Sequence, residues 1–326
     1  MEGSRVAFHA CRVYIPLVEI RIPCEENRIG DPGVTPERWT VLSLLDWSGR
    51  YLTDRGFDEA RLHVELLLAH VLSVSRLQLY LQFDRPLIPA ELQAFKDLFK
   101  RRLTHEPLQY ILGETEFMGL PIEVNRHVLI PRPETETLVE HALAILEHLE
   151  GEVTVVDIGT GSGNIAVALG HSLPAARILA LDISPDALGV AQRNIRKHLL
   201  ANVTLLELDI MSEPLPAGQY TMVVSNPPYV PLADFGGLQE EVRIFEPRLA
   251  TTDGGDGMTV IRRILEASRD SLKSQGRVLL ELGFGQSLEV RAIAEKLGFV
   301  DIQIIPDLAG IPRVLSARRP SRERPL

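Results

Sequence analysis

Cysteine is nearly absent. Among 326 residues there are two, Cys11 and Cys24, both near the amino terminus. Two thiols make no disulfide framework, and they lack the neighbouring ligands that a structural zinc site needs. That usage fits a reducing compartment, so a cytoplasmic location is the expectation. Long apolar runs are missing too. No stretch approaches the roughly 20 residues that cross a bilayer, and no membrane partner is expected. Residues 13–22 are mildly apolar, but Glu19 and Arg21 interrupt them and the order of a secretory signal is lacking. Positive charge is in deficit: 34 Lys and Arg face 44 Asp and Glu, a formal charge of -10. A chain so balanced tracks a phosphate backbone poorly, which argues against stable nucleic-acid binding. The nine histidines are scattered without metal-ligand spacing, and no Ser-His-Asp arrangement is suggested.

What is present is an ordinary globular composition, 45% hydrophobic and 24% charged, at a length that suits two domains. Residues 1–35 read as a poorly ordered extension, a short added strand or helix being the other reading. From residue 36 to 104 apolar residues such as Leu42, Leu45, Leu52, Val64, Leu68 and Leu72 recur at helical spacing. Pro86 and Pro89 interrupt the pattern, and Glu91 to Leu103 resumes it. Residues 36–125 carry a net -3, so this small helical domain has no basic face and reads as a protein-binding or substrate-orienting module. Residues 105–134 are punctuated by glycine and proline around short extended pieces and read as a linker with a hairpin.

Residues 135–326 alternate short apolar strands with helices after an opening helix at 135–149. Strands are expected at 153–158, 178–181, 203–208, 221–225, 277–282, 301–305 and 313–317, with helices at 165–171, 185–199, 258–273 and 287–297. Such alternation builds an α/β domain, a mostly parallel sheet of seven strands covered on both faces. Ligands then bind at the carboxyl ends of the strands.

The first of these strands runs into Asp157-Ile158-Gly159-Thr160-Gly161-Ser162-Gly163-Asn164. The glycines allow a tight turn and close approach of the backbone to a ligand. The dinucleotide fingerprint requires a third glycine where Asn164 stands. The spacing suits instead a nucleoside with an amino-acid tail; a purely structural turn is the alternative. Asp182 ends the next strand, 19 residues after Gly163, where an acid accepts from ribose hydroxyls or, alternatively, serves the helix opening at Pro185. Asp209 and Ile210 follow the third strand, suited to an adenine amino group and ring, or else to a solvated loop.

The most specific feature is Asn226-Pro227-Pro228-Tyr229 after the fourth strand. Two prolines stiffen the turn and remove two N–H donors. An acceptor-rich turn remains, with the Asn226 oxygen and the Pro227 carbonyl matched to the two hydrogens of a planar NH2 group, and with Tyr229 as a flat face. The nitrogen of an amide or aromatic amine is a poor nucleophile, so alignment and stabilisation of its developing positive charge are what such a turn can offer. Asp253-Gly254-Gly255-Asp256-Gly257 lacks calcium-loop spacing and reads as a turn before a helix. The basic tail from Arg318 to Arg324 reads as solvated.

Together these motifs resemble the HemK/PrmC family of protein-glutamine methyltransferases, over roughly Trp39 to Arg318. The resemblance rests on residues 107–113 (Pro-Leu-Gln-Tyr-Ile-Leu-Gly), on 129–136 with its Pro131-Arg132-Pro133-Glu134 core, on the 157–163 loop, on 226–229, and on Phe245-Glu246-Pro247-Arg248. It implies a Rossmann-like class I methyltransferase domain with a small N-terminal helical domain. It implies S-adenosyl-L-methionine as cofactor, held by Gly159, Thr160, Gly161, Ser162, Gly163, Asp182, Asp209, Ile210 and Asn226. It implies as substrate the glutamine of the Gly-Gly-Gln motif in class 1 peptide chain release factors, bound and methylated at Asn226, Pro227, Pro228 and Tyr229. Ile210 stands where some relatives carry an aromatic residue. Arg132 and Glu134 would line the cleft or fix the linker through a salt bridge. The same Asn-Pro-Pro-Tyr chemistry serves an adenine-N6 methyltransferase on DNA or RNA, and this is the competing expectation. A nicotinamide-dependent oxidoreductase is disfavoured by Asn164 and by the lack of a hydride-transfer acid.

Overall fold

The computed structural model describes residues 38–321; the expectations for residues 1–35 and for the end of the basic tail lie outside them. The chain forms two compact units that divide between Leu103 and Thr104. In the first unit, helices α1 (Val41–Thr53), α2 (Ala60–Leu72), α3 (Arg76–Tyr80) and α4 (Pro89–Leu103) bury Leu44, Leu45, Leu52, Val64, Leu67, Leu68, Phe95 and Phe99. Thr40 and Ser43 form a reciprocal capping box at the start of α1, satisfying backbone donors that would otherwise be orphaned. The Glu65 carboxylate is buried in this unit. It accepts from Arg61 Nε and Arg76 Nε at 2.7 Å each and from the Tyr80 hydroxyl at 2.8 Å, which meets the cost of its burial.

The second unit begins with α5 (Leu108–Leu112), the antiparallel hairpin β1 (Glu114–Phe117) and β2 (Leu120–Glu123), and α6 (Pro133–Leu146). The hairpin was expected; α5 and the earlier start of α6 were not. Pro133 at the first turn explains that start, since its fixed φ suits a position where no N–H is needed. Then follow β3 (Thr154–Ile158), α7 (Asn164–Ser172), β4 (Arg177–Asp182), α8 (Pro185–Lys197), β5 (Val203–Glu207) and β6 (Tyr220–Ser225). After these come α9 (Glu240–Phe245), α10 (Arg248–Thr251), α11 (Thr259–Ser271), β7 (Leu272–Glu281), α12 (Ser287–Lys296), β8 (Val300–Pro306) and β9 (Pro312–Arg318). All seven expected strands are present. The short helices α9 and α10 were not expected, because neither is long enough to display a helical period.

The sheet order is β5-β4-β3-β6-β7-β9-β8, parallel except for β9, which runs antiparallel between β7 and β8. Alternate residues of each strand serve opposite faces. Val155, Val224, Leu279 and Val314 join the core under α6, α7 and α8, whereas Val156, Val223, Leu280 and Leu315 join the core under α11 and α12. Both faces are covered, so the strands read as near-continuous apolar runs. The chain leaves β3 toward β4 on one side and reaches β6 on the other. This reversal opens a crevice at the carboxyl ends of β3 and β6.

Candidate active site

The crevice is a cavity in the second unit. Ile158, Gly159, Thr160, Gly161 and Ser162 line it after β3, Asp182 and Ile183 after β4, and Leu208, Asp209 and Ile210 after β5. Ser225, Asn226, Pro227 and Pro228 line it after β6. Arg132 and Thr135 at the start of α6, Leu249 of α10 and Ile264 of α11 also line it, so segments distant in sequence meet there. Of the site residues expected from sequence, Gly163, Tyr229 and Glu134 do not line the cavity.

Gly159, Gly161 and Gly163 all have positive φ, of 72°, 55° and 80°. Gly163 is also closely packed: a Cβ there would stand 3.1 Å from the Cβ of Ala191 in α8. The loop is held from below by two acids. Asp182 Oδ2 accepts from the Gly161 N–H at 2.8 Å and Oδ1 from the Ser184 N–H at 2.9 Å. Burial raises the Asp182 carboxyl above the usual range, against the pull of these backbone donors. Asp157 is fully buried and accepts from the Thr160 hydroxyl at 2.6 Å. Burial pushes its carboxyl up to about 7, and the neighbouring Asp182 charge adds to the rise. Asp209 folds its side chain back on its own loop, accepting from Met211 N and the Ser212 hydroxyl at 2.9 Å each. Arg263 of α11 donates to the carbonyls of Ile210 at 2.7 Å and Glu213 at 3.0 Å, which fixes this wall.

The Asn-Pro-Pro-Tyr turn lies beside the glycine loop because β3 and β6 are parallel neighbours, with Asp157 opposite Val224. The buried Ser225 hydroxyl donates to the Ile158 carbonyl at 2.6 Å and ties the two strand ends together. Asn226 Nδ2 donates to the Thr135 hydroxyl at 3.0 Å. Thr135 donates to Glu281 Oε2 at 2.6 Å, and the Tyr229 hydroxyl donates to Glu281 Oε1 at 3.1 Å. Burial raises the Glu281 carboxyl; the two hydroxyl donors and Arg313 oppose the shift, and Glu134 adds to it. Burial and the adjacent Glu281 raise the Tyr229 phenol as well. Gln286 Nε2 donates to the Tyr229 carbonyl at 2.9 Å, while its Oε1 accepts from the Gly283 N–H at 2.8 Å.

Sequence reasoning missed Thr135, Glu281 and Asp157. Thr135 follows directly on the Pro131–Glu134 segment, so its position was in view but its role was not. Glu281 is a lone acid inside the apolar run Leu279-Leu280-Glu281-Leu282, and that incongruity is a readable signal. Arg132 pairs with the buried Glu246, which also accepts from the Ile130 N–H at 3.2 Å, so the arginine both lines the cavity and clamps the segment before α6 to the end of α9. Glu134 is exposed at the first turn of α6. Asp253 accepts from the N–H groups of Gly255 at 2.8 Å and Thr259 at 2.9 Å, and so opens α11 as a turn rather than a metal loop.

A seven-stranded sheet of this order, with a glycine loop after β3 and an acid after β4, defines a class I methyltransferase domain. A family model described as "PrmC N-terminal domain" matches residues 43–113, and one described as "Methyltransferase small domain" matches 138–239. The chain is 45% identical over 283 residues to the release factor glutamine methyltransferase of Geobacter sulfurreducens, an alignment covering 87% of this chain and 98% of the relative. It is 41% identical over 286 residues to the protein of the same name from Chlorobaculum tepidum, covering 85% and 97%. Among solved structures, a release factor-specific protein-(glutamine-N5) methyltransferase from Alicyclobacillus acidocaldarius is 29% identical, covering 61% of this chain and 99% of that one with a TM-score of 0.38. The chain belongs to the release factor glutamine methyltransferase family. Among the described residues, no helix is long and apolar enough to cross a membrane.

Proposed function

We propose that this enzyme transfers a methyl group from S-adenosyl-L-methionine to the side-chain amide nitrogen of the glutamine in the Gly-Gly-Gln motif of class 1 peptide chain release factors, in the cytoplasm. The observation that carries the reading is the meeting, in the lining of one cavity, of the glycine loop, Asp182 and Asn226-Pro227-Pro228. The residues fit the cofactor. Glycines at positive φ leave the loop open to an amino-acid tail, Asp182 keeps lone pairs beyond its two backbone donors for ribose hydroxyls, and buried Ile210 offers an apolar surface for a base. Bound there, the cofactor supplies an electrophilic methyl group on a sulfonium.

The chain supplies orientation. The Asn226 oxygen and the Pro227 carbonyl accept the two hydrogens of the glutamine NH2, and these bonds strengthen as positive charge develops on nitrogen. Pro227 is buried and neither proline brings a competing N–H donor. No strong base is needed, because the proton becomes acidic only once the nitrogen is alkylated and can then leave to solvent.

The test is transfer of labelled methyl from S-adenosyl-L-methionine to a purified class 1 release factor, with the modified residue located by mass spectrometry. Label on the Gly-Gly-Gln glutamine is expected, with loss of transfer in Asn226→Ala and little change in cofactor affinity. Label moving to DNA alone, or near-normal turnover in Asn226→Ala, rejects the reading.

A further inference from the structure

Glu281 ends β7, its side chain is buried, and it does not line the cavity. Its two oxygens nevertheless receive Thr135 and Tyr229, and Thr135 in turn receives Asn226. The bonds run in one direction only. In its ionised form, which the two hydroxyl donors favour against burial, Glu281 has no proton to give, so the single hydrogen of the Thr135 hydroxyl is committed to it. The Thr135 oxygen can then only accept, and what it accepts is the Asn226 NH2. The Asn226 carbonyl oxygen is left as the group available to the cavity. A primary amide otherwise turns over with little change of shape, exchanging an acceptor for two donors.

We propose that Glu281 is a positioning residue for methyl transfer: acting through Thr135, it locks the Asn226 amide with its oxygen toward the cavity, so that the site accepts hydrogen bonds from a substrate NH2 and rejects groups that only accept. The proposal rests on the reading of Asn226 as the residue that holds the glutamine amide. The same carboxylate holds the Tyr229 hydroxyl, so both ends of the Asn-Pro-Pro-Tyr turn are referenced to one buried acid. In E281Q the new amide can donate to Thr135. The Thr135 hydrogen is then free to reach Asn226 Oδ1, the Asn226 NH2 turns into the cavity, and it meets the substrate NH2 donor to donor.

The experiment measures turnover on a class 1 release factor and the dissociation constant of S-adenosyl-L-methionine for the full-length parent, E281Q, T135V, T135S and N226A. E281Q and T135V are expected to lower kcat about tenfold or more while cofactor affinity stays within about threefold of the parent, since the lost bonds orient substrate and not cofactor. T135S keeps the hydroxyl and is expected to recover most of the kcat that T135V loses. A packing role for Thr135 predicts the reverse order, because valine keeps the shape and serine removes a methyl group. Given an inactive N226A, a kcat for E281Q within about twofold of the parent, or T135V outperforming T135S, overturns the proposal. An active N226A instead removes the reading of the site on which it stands.

Discussion

Gly257 lies directly against the carbonyl of Tyr229. A Cβ at position 257 would stand 2.2 Å from that oxygen and 3.0 Å from its carbon, and Gly257 itself has φ of +77°. The residue that ends the Asn-Pro-Pro-Tyr turn is thus seated on the turn that opens α11, and only glycine allows the approach.

Gly257→Ala is therefore expected to act at a distance. The strained φ and the displaced Tyr229 carbonyl, also held by Gln286, should cost ~1–3 kcal/mol of stability. Turnover should fall more steeply than cofactor affinity. Thermal melts with parallel binding and rate measurements check this; an unchanged kcat would mean the turn tolerates movement at Tyr229.

Asp157 predicts an unusual pH dependence of stability. Its folded carboxyl titrates at about 7 and its ordinary value is 3.8, so between these limits the folded state binds a proton that the unfolded state has released. Its contribution is fully present below pH ~4 and lost as pH rises through about 7, with a magnitude on the order of a few kcal/mol. The protein without cofactor should then lose stability from Asp157 between pH 5.5 and 7.5, and Asp157→Asn should remove that slope. Denaturant titrations at both pH values test it. A slope that survives in the variant would assign it to other groups, Asp182 first.

Asp182→Ala should weaken S-adenosyl-L-methionine binding by ~1–3 kcal/mol, because charge-assisted bonds to a ribose would be lost. The geometry adds a second effect: the variant also removes the acceptor of Gly161 N–H and so loosens the loop. Calorimetry on the variant measures the sum, and an unchanged dissociation constant would mean that the ribose is held elsewhere.

Among the described residues, Arg132→Ala leaves the buried Glu246 carboxylate the Ile130 N–H as its one remaining hydrogen-bond donor. Removing one member of a fully buried pair costs about 3–5 kcal/mol, and the partial exposure of Arg132 reduces the expectation to ~1–3 kcal/mol. Arg132→Lys should recover part of it. Melting temperatures compared among the three proteins decide the matter; equal values would show that the pair contributes nothing to stability.

Much of the architecture was legible because its signals are local. Apolar runs of strand length separated by amphipathic helices announced the seven strands, and an acid 19 residues after Gly163 matched the interval from β3 to the end of β4. The short elements escaped notice. Five residues in α5 or four in α10 cannot show a 3.6-residue period, and their helicity is set by what they pack against. The bulge between Tyr220 and Met222, where β7 starts five residues earlier than its apolar run suggests, belongs to strand pairing and not to composition.

By itself the sequence determined the chemistry that the chain can offer: a glycine loop that admits a close ligand, an acid after β4, and a turn poor in donors at Asn226. These depend on residue type and near spacing, and they survive any arrangement of the rest. Only the tertiary structure decided how those groups point. Thr135 and Glu281 lie 146 residues apart, and only folding brings the Asn226 NH2 onto the Thr135 hydroxyl and that hydroxyl onto Glu281. Orientation of that kind is a property of groups brought together by folding, and no local pattern carries it.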